Sequence, residues 1–201
     1  MASPASNLFK LARGRARLFS SLAHAPKLRP ITHLHRSTCL HAALATYVAG
    51  WEAYLEDVTR QSIALLRDPS NLRVSSLIQV LEPHALRAIE KFNTPNHEQS
   101  RNLLLNYLGY DPWPDWTWPQ RSMGSPQVQL RLNEILRVRH SFAHGFPLPN
   151  DIPWVVRRGK PGELTVGAVH EQGRLLEHLV TMTDSGLSAH LSSRFGATVS
   201  W

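Results

Sequence analysis

"LHAALATYVAGWEAYLEDVTRQSIALL", residues Leu40 to Leu66, decides how this chain folds. Leu40, Leu44, Tyr47, Val48, Trp51, Leu55, Val58, Ser62, Leu65 and Leu66 recur at spacings of three and four, which draws one largely apolar stripe along a helix. Continued to its natural limits, the pattern predicts a helix from about Ile31 to Arg67, about 54 Å long. "RDPSN" ends it, because a proline disfavours helix in the residue before it. In a chain of 201 residues, so long a helix must be the spine on which the rest packs.

Working outward, the remaining segments are also helical. Shorter pieces are expected at about Asn71 to Leu81 and Pro83 to Phe92. "NTPNHEQSRNLLLNYLG" reads as a capped helix, with Thr94 or Asn96 as cap and Gly109 as left-handed stop. The pattern returns from Pro126 to Gly145, and a last amphipathic helix spans about Val166 to Phe195. Between them, "YDPWPDWTWPQRSMGSP" is an irregular stretch. Its Trp113, Trp116 and Trp118 either stack on bases or seal a loop onto the core, the commoner use. A short strand or hairpin is expected around the Gly-Lys-Pro-Gly turn at 159–162. The fold class is all-α, a helical bundle built on one long central helix.

Composition narrows the function classes. A hydrophobic fraction of 42% with 18% charged residues describes a globular chain. The single cysteine, Cys39, allows no internal disulfide and no thiolate metal cage, and it points to a reducing, cytoplasmic setting. No run reaches the roughly 20 apolar residues a bilayer span needs. The charge is uneven: Lys10, Arg13, Arg15, Arg17, Lys27, Arg29 and Arg36 all precede the first acidic residue, Glu52, and carry the whole formal +7. We therefore divide the chain into a basic N-terminal helix or arm, 1–30, and a helical domain, 31–201. The arm suits phosphate chains. It also reads as an organellar transit peptide, or as a first helix with a solvated basic face.

The chemistry concentrates at "RVRHSFAHG", Arg137 to Gly145. His140 and His144 stand four apart on one helix face, as in zinc proteases of the His-Glu-x-x-His type. Ser141 occupies the position of the general-base glutamate, however, and no third ligand follows, so no metal and no cofactor is expected. Arg139 is the odd residue. In projection it falls among Val128, Leu132, Ile135, Leu136 and Phe142, and a charge there is costly unless paired or lining a wet cleft. On the spine helix, Glu52 borders the apolar stripe beside Val48. It is either a half-buried anion that orients Arg139 or a rim carboxylate in its water shell.

Arg139, four intervening residues, His144 and then Gly145 resemble the Arg-x4-His signature of the HEPN superfamily of all-α ribonucleases. "HAALATYVAGWEAYLEDVTR" and "FNTPNHEQSRNLLLNYLGYDPWPDW" are similar to its RiboL-PSP branch, so the resemblance covers roughly Leu40 to Gly145. One position departs: a polar residue, commonly asparagine, follows the arginine in much of the superfamily, and here it is His140.

The resemblance implies a metal-independent endoribonuclease in which RNA supplies its own nucleophile, the 2′-hydroxyl. His144 would move the proton and Arg139 would hold the phosphate, with His140 and Glu52 as further candidates. Arg137, Lys10, Arg13, Arg15, Arg17, Arg157 and Arg158 are the candidate RNA-binding cations. It also implies a homodimer with the two motifs facing across a cleft, a role as toxin or defence effector, and an antitoxin or other regulatory protein as partner. The alternative is a non-catalytic all-α dimer that binds RNA or protein through the same cleft.

Overall fold

The computed structural model describes residues 2–25, 33–67, 72–93, 95–155, 162–199 and 201. Helices α1 (Ser6–Leu22), α2 (His33–Leu66), α3 (Leu72–Glu90), α4 (His97–Leu108), α5 (Ser125–Ala143) and α6 (Val166–Phe195) carry the architecture. A 3-10 turn at Pro119–Arg121 and an isolated antiparallel bridge between Trp118 and Met123 interrupt the loop before α5. The described residues form no strand, and the fold is all-α. No helix of the described residues is long and apolar enough to cross a membrane.

Helix α2 is 34 residues long, and all five other helices pack against it. Its buried side chains include Leu40, Leu44, Trp51, Tyr54, Leu55, Val58 and Ile63. Thr59 and Ser62 are also buried, and each turns its hydroxyl back to donate to the carbonyl four residues earlier, Leu55 and Val58, so neither is left unsatisfied. Trp51 lies against Tyr54 and meets Trp116 edge-on at 5.7 Å. Removing the Trp51 ring would cost about 3–5 kcal/mol.

Helix α3 corrects the expectation of two pieces. It runs unbroken through Pro83, although the ring removes one backbone hydrogen bond and should cost about 3 kcal/mol. Ile78, Ala85 and Ile89 share one buried face on both sides of the proline, and this packing holds the helix through the defect. Helix α4 opens on Asn96, whose side chain accepts from the Gln99 amide, and it closes on Gly109 in the left-handed region. Thr94, the other cap considered, and the turn at 159–161 lie outside the described residues.

Helix α1 is packed into the bundle. Phe9 and Ala16 are buried, and Phe9 faces Tyr47 of α2. A methyl group on Gly50 would overlap the Ala12 side chain, so the two helices approach as closely as they do because position 50 is glycine. The start of the chain is anchored too. The buried Asp184 carboxylate on α6 accepts from the Ser3 backbone amide and from the Tyr54 hydroxyl, both at 2.8 Å.

Candidate active site

Helix α5 enters the core on Val128, Leu132, Ile135 and Val138, then emerges from it at its C-terminal end. That end is closed by a Schellman motif. The Phe146 amide donates to the Ser141 carbonyl at 2.8 Å and the Gly145 amide to the Phe142 carbonyl at 3.2 Å, with Gly145 at φ 68°. The motif makes His144 the C-cap and fixes the direction in which Phe146 leaves. His140 and His144 lie with ring centroids 4.2 Å apart, and Phe146 stacks on His144 at 5.9 Å. Both histidines are exposed.

The following loop is tied back onto α5. Arg137 donates to both carboxylate oxygens of Asp151, at 2.8 and 2.9 Å, and this pairing raises the guanidinium's affinity for its proton. Trp154 donates its indole N–H to the buried Glu134, which also pairs with Arg131 at 3.0 Å. Between this loop, α5 and the start of α4 runs an open groove of about 600 Å³, lined by Asn96, Asn133, Arg139, His140, Phe146 and Pro147 among others.

Arg139 is half-buried on the groove wall, and no carboxylate of the described residues pairs with it. Glu52 on α2 is also half-buried and lies within its field. Burial raises the Glu52 carboxyl above the ordinary range, neighbouring Glu56 adds to this, and Arg139 opposes both. Phe142, which projected onto the apolar face, is 39% exposed and stacks flat on His41, ring centroids 4.5 Å apart. His41 is buried, its Nδ1 has no hydrogen-bond partner, and burial lowers its pKa to about 4.

Arg139, His140, His144 and Glu52 therefore converge on one end of α5, with Arg137 at its rim. The basic residues of α1 do not join them. Gly50 faces Ala12 of α1 and Glu52 faces Arg139, and two residues correspond to about 200° around α2. Helix α1 and the end of α5 thus flank opposite sides of α2. Lys10, Arg15 and Arg17 are exposed there, while Arg13 pairs with Glu177 of α6. Arg157 and Arg158 lie outside the described residues.

The tryptophans seal the loop. Trp116 is buried and donates to the Thr183 hydroxyl at 2.9 Å, Trp118 stacks on His178, and Trp113 lies beneath the Arg101 guanidinium at 4.6 Å. Among the described residues no group of three or more histidine, cysteine, aspartate or glutamate side chains is arranged to hold a metal ion.

Sequence reading missed three residues at the site. Asn133 was visible, since Asn133, Arg137, His140 and His144 form one polar stripe at spacings of four, three and four. Asn96 was read only as a cap. His41 gave no signal, because only the fold lays Phe142 over it. No protein-family model, curated protein or solved structure matches this chain.

Proposed function

We propose that the chain is a metal-independent endoribonuclease of HEPN type, working as a symmetric dimer. The observation that carries the reading is the end of α5. There an arginine without a carboxylate partner among the described residues lines a groove beside two exposed histidines, one of them held at the C-cap. A guanidinium suits a phosphate that gathers charge as it is attacked. His144 takes the proton of the 2′-hydroxyl, whose oxygen bonds to phosphorus as the bond to the 5′-oxygen breaks. The leaving 5′-oxygen takes a proton from an imidazolium, supplied by the same or the facing subunit. A second arginine–histidine set across the dimer axis would complete the cleft, and growth arrest or defence is the setting that such an activity fits.

The exposed Phe146, 61% accessible, favours a second reading in which the same groove binds RNA or protein without cutting. Cleavage assays separate the two. Arg139→Ala and His144→Ala should each abolish RNA cleavage while melting like the wild type, and His140→Ala should do less. Chelator should have no effect, and the upstream product should end in a 2′,3′-cyclic phosphate. A 2′-deoxy substitution at the cut should block the reaction. Activity that survives loss of His144, or that requires added divalent metal, would overturn the mechanism.

A further inference from the structure

We infer that the groove beside Arg139 is a base-reading subsite that takes guanine. The source of the base, an RNA strand, rests on the ribonuclease reading, whereas the chemistry of recognition rests on two asparagines. Asn96 turns its Oδ1 into the protein to accept from the Gln99 amide at 2.7 Å. Asn133 does the same, its Oδ1 lying 3.0 Å from His97 Nδ1 and accepting from it in the tautomer that carries the proton there. Both residues line the groove, and neither amide nitrogen has a partner among the described residues. Each side chain has its oxygen engaged by the fold, which leaves the NH2 group as the end available to a ligand in the groove.

Arg139 adds a guanidinium, which has donors and no acceptor. These three donor groups, on a wall shared with His140 and Ser141, favour a base edge made of acceptors. Of the two purines, guanine offers two side by side, N7 and O6, whereas adenine pairs N7 with an amino donor, which would face the asparagine amides donor to donor. The Phe146 ring, 61% exposed at the rim, supplies a stacking surface of the kind bases use. About 600 Å³ is ample for one nucleotide, and Arg139 on the same wall sets the base next to the phosphate it would hold.

Two substitutions invert the pattern without removing the supports. Aspartate caps a helix as well as asparagine does, so Asn96→Asp keeps the Gln99 contact and replaces the NH2 with an oxygen. Asn133→Asp likewise keeps an acceptor for His97. Added negative charge weakens every nucleotide alike, so the quantity to read is the ratio of affinities. The intact chain is titrated by calorimetry with 3′-GMP, 3′-AMP, 3′-UMP and 3′-CMP, with melts recorded for each variant.

Wild type should bind GMP roughly tenfold more tightly than AMP, and each variant should bring that ratio close to one. Equal binding of all four by the wild type, no binding at millimolar concentration, or an unchanged ratio in both variants would overturn the subsite. The two proposals fail separately. Cleavage with no guanosine preference in binding removes the subsite and leaves the nuclease, and guanosine preference in a chain that cuts nothing does the reverse.

Discussion

Half-buried Glu52 and buried His41 both sit at some electrostatic expense, and their proton balances on folding are opposite. Glu52 has its carboxyl raised first by burial, so above its own pKa the charged form opposes folding. Glu52→Gln removes that charge and should melt no lower than wild type at pH 7. If the carboxylate orients Arg139, the same variant should cleave RNA more slowly than Glu56→Gln, whose native carboxylate pairs with exposed Arg60 instead. Equal activity in both variants would take Glu52 out of the site. For His41 the proton balance runs the other way. Its folded pKa, about 4, lies below the ordinary 6.5, so between those values the unfolded chain binds a proton that the folded chain refuses. Stability should therefore fall as pH drops from about 6.5 to 4, by up to about 3 kcal/mol from this residue. Denaturant titrations across that range should show a shallower slope in His41→Leu, and an unchanged slope would mean that the ring is hydrated or paired.

At the scale of helices, glycines set how closely the elements approach. A side chain on Gly173 of α6 would run into the ring of Tyr47 on α2, and one on Gly50 into Ala12 of α1. Gly173→Ala must push a buried ring off its seat, and overpacking of that kind typically costs about 1–3 kcal/mol. Chemical denaturation should show that loss, whereas Gly14→Ala, whose added methyl meets nothing, should be neutral or stabilising. Most helices were legible because their signals are local: a three-and-four apolar rhythm for α2, an asparagine and a glycine at the two ends of α4, Gly145 after α5. What was not legible depended on partners remote in sequence. The local cost of Pro83 can be read from the residues, but the burial of Ile78, Ala85 and Ile89 that outweighs it cannot. Arg139 announced itself by standing on an apolar face. That its wall would be shared with Asn96, from a different helix, needed the fold.

For the whole molecule, the end of α5 combines a half-buried arginine that no carboxylate of the described residues pairs with and the exposed Phe142 and Phe146. We expect two copies to cover this region mutually, so light scattering at micromolar concentration should give twice the 22.7 kDa of one chain. A stable monomer under those conditions would count against the dimeric cleft, and Phe142→Asp should dissociate the pair if the surface is placed correctly. The Asp184 carboxylate sets a different constraint, on the order in which the protein is made. Its partner, the Ser3 amide, leaves the ribosome 181 positions ahead of the aspartate that receives it. At roughly 5–20 residues per second, that is a wait on the order of ten to forty seconds. During it α1 can already pack on α2, where Phe9 meets Tyr47, while its α6 contacts are still unmade. The Ser3–Asp184 contact is therefore among the last that the fold can close.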